Sequence, residues 1–280
     1  MTVSNNDLRG TEKSNRPPDS SGIYVRQDGP RDAPALLLIH GTGASGRSWD
    51  PMVPLLTGSH HVIRVDLLGC GQSAGLGDTS YTVSDQARRI GAALDPLGVS
   101  HVIAVGHSSG SAVATALAEQ RPDLVTAVVI IDFGPDMDAC TAPESSGGSA
   151  IDWTGLTDEQ FRQLMRSGFS ADYVIPQEYV DQFRAIDPAV FAVAAKANCA
   201  YLDERSLPER LAPLGKPLLV IFGEDDSRWR PSAAVQYRAV PGATVLLLSG
   251  VGHSPNLEDP PRTAGLLLTF AAKHAGAESN

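Results

Sequence analysis

The chain is poor in cysteine, with Cys70, Cys140 and Cys199 as the three in 280 residues. An odd number at wide spacing makes no disulfide framework and suits a reducing compartment, so a cytoplasmic setting is expected. Neither C-x-x-C nor H-E-x-x-H occurs, and no metal site is expected. No apolar run approaches the ~20 residues that a membrane-spanning helix needs. Basic residues are in deficit, 22 Lys and Arg against 32 Asp and Glu, for a formal net charge of -10. That balance argues against nucleic acid or an anionic membrane surface as a general partner. Residues 1–21 are polar and lack an apolar signal core; they read as a flexible tail without a signal peptide.

What is present is a globular composition, 42% hydrophobic and 19% charged, long enough for one large domain or a core with an insertion. Short β-rich runs alternate with helix-like segments, the pattern of an α/β chain with a mainly parallel sheet. Strands are predicted at residues 23–27, 35–40, 62–66, 101–106, 125–132, 218–223 and 244–248, four of them nearly all apolar. Such runs fit strands covered by helices on both faces. Helices are predicted at 49–56, 84–97, 111–120, 232–240 and 261–274.

The alternation stops between residues 135 and 213. This stretch opens with a Ser-, Gly- and Pro-rich loop at 136–149 and holds half of the chain's aromatic residues. Its amphipathic pieces at 158–167 and 177–185 read as helices. The expectation is a helical lid, 135–213, inserted into a core built from 22–134 and 214–280. The 13 acidic and 6 basic residues of the stretch read as a well-solvated surface rather than as selection for cationic substrates. Trp153, Phe161, Met165 and Tyr173 are its candidates for the wall of a substrate pocket.

Gly106-His107-Ser108-Ser109-Gly110 lies between a predicted strand and a predicted helix. G-x-S-x-G in that setting describes a nucleophile elbow, a tight turn that lifts a serine hydroxyl above the sheet edge. A serine hydroxyl needs a base, and the base needs an orienting acid. His253, in Gly250-Val251-Gly252-His253-Ser254-Pro255 after the last strand, is the candidate base. His60, His61, His101 and His274 lack such a setting and read as structural or exposed. The acid belongs at a strand end, where Glu224, Asp225 and Asp226 offer three carboxylates and Asp132 a fourth.

With these motifs the chain resembles the α/β-hydrolase family over about residues 23–272. The order Ser108, Asp226, His253 is that family's order. The resemblance extends to His40-Gly41-Thr42-Gly43, to the run from Asp66 to Ser73, and to Gly252-His253-Ser254-Pro255 with Glu258 and Pro260 following. It implies Asp226 as acid, as the fourth residue of G-x-x-D, with Asp225 second and Asp132 at a position that a minority of relatives use. It also implies an oxyanion hole from the backbone N–H groups of Thr42 and Ser109, with Gly41 and Gly43 letting their loop approach the substrate. The run Asp66–Ser73 is expected to be a supporting turn, with Cys70 in no catalytic role. Members that process halides or epoxides carry aspartate at the elbow, and Ser108 sets this chain apart from them.

The function expected is a cofactor-free serine hydrolase acting on an ester, lactone or thioester of a small hydrophobic molecule. The alternatives on the same scaffold are a carbon–carbon bond hydrolase, a lyase or cyclase, and a non-catalytic small-ligand receptor. The sequence leaves oligomeric state open, a homo-oligomer included.

Overall fold

The structure is a computed structural model that describes residues 15–16, 21–73, 80–141, 153 and 155–274. Residues 1–14 and 17–20 of the expected tail, and 142–149 of the expected loop, lie outside the described residues. Strands β1 (Asn15–Arg16), β2 (Tyr24–Asp28), β3 (Ala35–Ile39), β4 (His61–Asp66), β5 (Val102–His107), β6 (Val125–Ile131), β7 (Leu218–Gly223) and β8 (Thr244–Leu248) form one sheet. Their order is β1-β2-β4-β3-β5-β6-β7-β8. β2 runs antiparallel to β1 and β4, and the pairs from β4 to β8 are parallel.

The apolar runs form strands because both faces find a partner. Leu36 and Leu38 of β3 enter one core cluster with Ile103, Val105, Val129 and Ile221. Leu37 and Ile39 enter the cluster on the opposite face with Ala104, Val128, Ile130 and Val220. From β3 the chain moves out to β4, then returns to β5 on the other side of β3. A reversal of this kind opens a crevice at the carboxyl ends of the strands. The loop after β3 and the turn after β5 both reach it.

The helices are α1 (Val53–Leu56), α2 (Val83–Leu94), α3 (Gly110–Gln120), α4 (Asp158–Met165), α5 (Gln177–Arg184), α6 (Pro188–Glu204), α7 (Leu207–Leu211), α8 (Pro255–Glu258) and α9 (Pro260–His274). The helix predicted at 49–56 is instead a 3-10 turn, Gly46–Trp49, followed by the short α1. Pro51 and Pro54 lack the N–H groups that a continuous helix would need there. The helix predicted at 232–240 is a 3-10 run, Pro231–Ala239.

α4 to α7 lie between β6 and β7. This segment has its own core of Trp153, Phe161, Met165, Phe169, Ile175, Val180 and Phe183. Thr157 and Gln160 cap α4 reciprocally, and the Arg184 guanidinium lies 4.3 Å from the centre of the Phe161 ring. The long α6 escapes a periodicity reading because its apolar residues are spread around the helix; its alanine content is the signal that favours it. Among the described residues no helix is long and apolar enough to cross a membrane. All three cysteines are free, and burial, with the nearby Asp66 charge, pushes the Cys70 thiol up to about 12. Such a thiol is inert at neutral pH.

Candidate active site

Ser108 sits between the end of β5 and the start of α3 with φ +51°, a left-handed conformation for a residue that carries a Cβ. Such backbone costs about 1–2 kcal/mol and persists only where its surroundings enforce it. Here the Ser108 N–H donates to Ile131 O at 2.8 Å, and Ser111 N–H donates to Ser108 O at 2.8 Å. The two glycines of the motif are required by contact. A Cβ on Gly106 would lie 2.4 Å from Gly110 O, and one on Gly110 would lie 2.4 Å from Ile39 O.

His253 Nε2 lies 2.9 Å from Ser108 Oγ, and His253 Nδ1 lies 2.9 Å from Asp226 Oδ2. The other Asp226 oxygen accepts N–H bonds from Arg228 at 2.7 Å and Trp229 at 3.3 Å. Burial pushes the Asp226 carboxyl up, but the His253 charge, its hydrogen bond and the Arg228 N–H outweigh this and hold it below its ordinary value. Glu224 and Asp225 are exposed.

Asp132, also at positive φ (+46°), ends β6 fully buried, and its carboxyl accepts the Gly223 N–H at 2.9 and 3.1 Å. Ligand atoms of Asp132, Asp226 and His253 all lie within 4.8 Å of one another. Burial, and then the Asp226 charge, raise the Asp132 carboxyl well above its ordinary range. Of the two coupled carboxyls, Asp132 is thus the one that holds a proton more tightly, and it lies directly behind Asp226.

Three groups that the sequence motifs contain, but to which they assign no role, hold this arrangement. His107 Nε2 donates to His253 O at 2.8 Å; burial, then the neighbouring His253 charge, pull its imidazole down to about 3, so it is neutral. Its place inside the G-x-S-x-G motif was the available signal. Glu258 accepts N–H bonds from Gly252, Ser254 and Ser170, tying the His253 loop to the α4–α7 segment. His40 donates from Nδ1 to Gly41 O and accepts the Leu67 N–H at Nε2, joining the loops after β3 and β4. Asp66 accepts N–H bonds from Gly46 and Gln72, the supporting turn expected there.

The pocket around Ser108 is lined by Gly41, Thr42, Met165, Phe169, Tyr179, Phe183 and His253, among others. Its empty space is about 650 Å³ counted out to solvent, the scale of a small-molecule site. Gly41 lies so close that a Cβ on it would stand 2.9 Å from Ser108 Cβ. Of the four aromatic and sulfur-bearing candidates, the structure brings Met165 to this pocket. Trp153 and Phe161 are buried inside the segment's own core, where they meet each other edge-on, Phe161 meets Phe183 edge-on and Trp153 meets Phe183 at a tilt. Tyr173 stacks on Phe169 at 4.9 Å and donates to Leu257 O. Tyr179 and Phe183, which were not among the candidates, line the pocket where Trp153, Phe161 and Tyr173 were expected; four residues apart on α5, they share a helix face, which is the signal that marks them.

The two oxyanion candidates differ. Ser109 N–H has no acceptor among the described residues. Thr42 N–H, by contrast, donates to Ser109 Oγ at 2.7 Å, and Thr42 Oγ1 lies 2.8 Å from the same oxygen. A hydroxyl thus occupies the donor that the sequence reading treats as open to substrate.

Residues 36–266 match the family described as the Alpha/beta hydrolase family. The chain belongs to that family and is a hydrolase enzyme. It is 30% identical over 247 residues to a protein of Pseudomonas syringae pv. syringae (strain B728a) named "Putative carbamate hydrolase RutD", covering 82% of this chain and 90% of that one. It is 26% identical over 250 residues to the pimeloyl-[acyl-carrier protein] methyl ester esterase of Aeromonas hydrophila subsp. hydrophila, covering 85% and 95%. The solved structure of the N-acyl homoserine lactonase AidH with N-butanoyl homoserine superposes with a TM-score of 0.79 at 19% identity, covering 92% of this chain and 95% of that one. That last likeness is one of fold.

Proposed function

We propose that the chain is a serine hydrolase that cleaves a carboxylic ester, lactone or thioester through an acyl-enzyme on Ser108. The observation that carries this reading is the unbroken chain of contacts from Ser108 Oγ through His253 to Asp226, at 2.9 Å on each side. His253 Nε2 takes the hydroxyl proton as Ser108 attacks the carbonyl carbon. Asp226 holds the Nδ1–H tautomer and stabilises the imidazolium. His253 then returns the proton to the leaving oxygen or sulfur, and water repeats the sequence to release the acid. Ser109 N–H is poised for the oxyanion, while Thr42 N–H turns to it from Ser109 Oγ as charge develops. The reaction needs no cofactor or metal. The relative named as a methyl ester esterase supports the ester class.

Residues 135–213 act as the lid in this reading. Met165, Phe169 and Phe183 line the pocket, Ser254 Oγ donates to Gly168 O at 2.7 Å, and Glu258 accepts the Ser170 N–H. A cover of this kind excludes water and selects among acyl groups. A second recess, lined by Leu67, Tyr81, Val190 and Phe191, shares Thr42 and Gly43 with the first and offers an apolar group a place beside the carbonyl.

Acid-quenched turnover of p-nitrophenyl esters of graded length, lactones and vinylogous diketones, read by intact-protein mass spectrometry, tests the mechanism. An acyl adduct on the peptide that contains Ser108 is expected with the esters. Turnover confined to the diketones, with no adduct, would move the chain to carbon–carbon bond hydrolysis.

A further inference from the structure

Arg228 projects into the same pocket wall as Ser108 and His253. Its main chain is fixed on both sides, the N–H donating to Asp226 Oδ1 at 2.7 Å and the carbonyl accepting from Thr141 N–H at 2.8 Å. The side chain is anchored once, by Nε donating to Ser167 Oγ at 3.1 Å. The Nη2 nitrogen lies 3.7 Å from where a Cβ on Gly168 would stand, so the glycine leaves the fork uncrowded. Among the described residues, neither Nη1 nor Nη2 meets a hydrogen-bond acceptor, and no carboxylate comes within ion-pair distance of the guanidinium.

Arg228 is half-buried; the two buried arginines among the described residues are treated differently. Arg64 pairs with Asp28 at 2.6 Å and Asp50 at 2.5 Å, and Arg210 pairs with Glu204 at 2.9 Å. Asp226 is the charge nearest Arg228, but its oxygens are already engaged by His253 and by two backbone N–H groups. Among the described residues, no Asp or Glu lines the pocket. The result is a planar donor fork, held at its base and open at its tip, facing a space to which the described residues bring no carboxylate. Burial pulls the guanidinium down from its ordinary value while Asp226 pushes it back, and it stays charged at neutral pH.

We propose that Arg228 is the binding site for a carboxylate carried by the substrate, so that the enzyme's esters are those of molecules with a second, free carboxyl group. A carboxylate is planar and meets such a fork through two parallel N–H···O bonds, which fix orientation as well as supply attraction. Bound there, it would seat the ester carbonyl at Ser108 from a distance set by the length of the chain between the two groups. This inference rests on the ester-hydrolase reading and adds the substrate class to it.

The test compares monomethyl esters of linear dicarboxylic acids, succinate through suberate, with matched methyl esters whose free carboxyl is replaced by a carboxamide. The wild-type enzyme is expected to favour the anionic ester at one or two chain lengths by about 10–100-fold in kcat/KM, the range of a charge-assisted hydrogen bond. Arg228→Gln is expected to bring that ratio close to one, and Arg228→Lys, which keeps the charge without the fork, to retain part of it. Thermal unfolding shows whether each variant is folded, and if Arg228→Gln is not, the wild-type ratio and Arg228→Lys decide. A wild-type ratio near one at every length, with the neutral esters still hydrolysed, overturns the carboxylate site and leaves the hydrolase standing. A ratio that survives in folded Arg228→Gln overturns it as well. No turnover of any ester, with no labelling of Ser108 by a fluorophosphonate, defeats the underlying reading first.

Discussion

At the residue scale the acid was the open question, because four carboxylates lie at two strand ends. Sequence order favoured Asp226, and the fold separates the four by exposure and direction. Asp226 reaches His253, Asp132 is buried behind it with its carboxyl raised well above the ordinary range, and Glu224 and Asp225 face solvent. Asp226→Asn is expected to lower kcat by about 10⁴, the loss seen when an imidazole is held in the wrong tautomer. Asp225→Asn should change kcat less than about threefold, as a surface substitution remote from the imidazole. Asp132→Asn should sit nearer the second than the first, since an amide donates to Asp226 and still accepts the Gly223 N–H. Steady-state kinetics on the three variants checks the order, and a crippled Asp132→Asn beside a mild Asp226→Asn would place the acid at the end of β6. Ser108, His253 and the need for Gly106 and Gly110 were legible because the motif states backbone contacts directly. The role of His107 was not, since a backbone carbonyl 146 residues away is its partner.

At the element scale the sheet was readable to within a residue or two at β2 to β8, where most of the runs are apolar and have few alternatives, but β1 (Asn15–Arg16), polar and two residues long, falls in the stretch read as a flexible tail. The α4–α7 segment was readable as an interruption rich in aromatics, but not for which aromatics face the pocket. Its own core and the pocket draw on the same residue types, and inward direction depends on how each helix docks. This separates two substitutions. Phe161 is fully buried within the segment, and Phe161→Ala is expected to destabilise it by about 3–5 kcal/mol. Met165 meets the pocket, and Met165→Ala is expected to change the ranking of acyl lengths in kcat/KM. Both variants should keep the reactivity of Ser108 toward a small fluorophosphonate. Thermal melts and a p-nitrophenyl ester series read the two effects, and an unchanged ranking in Met165→Ala would remove that side chain from substrate selection.

At the scale of the whole molecule, burying neutral histidines ties stability to pH. His40 and His107 are both held below their ordinary value of 6.5, chiefly by burial. Below pH 6.5 the unfolded chain binds protons that the folded chain refuses, so stability is lost as pH falls below that value, for His107 down to about 3. The unfolding midpoint is expected to drop as pH is lowered from 6.5, and more gently in His107→Gln, which keeps a donor for His253 O without a titratable ring. Equal slopes in the two proteins would show that His107 is not the group being protonated. The central claim, that Ser108 is the nucleophile of a His253–Asp226 relay, is tested most directly by Ser108→Ala. The substitution removes one oxygen at the pocket floor and opens no core cavity, so ester hydrolysis should fall to the uncatalysed background while the melting temperature stays at the wild-type value. Near-normal hydrolysis by a folded Ser108→Ala enzyme would contradict the account.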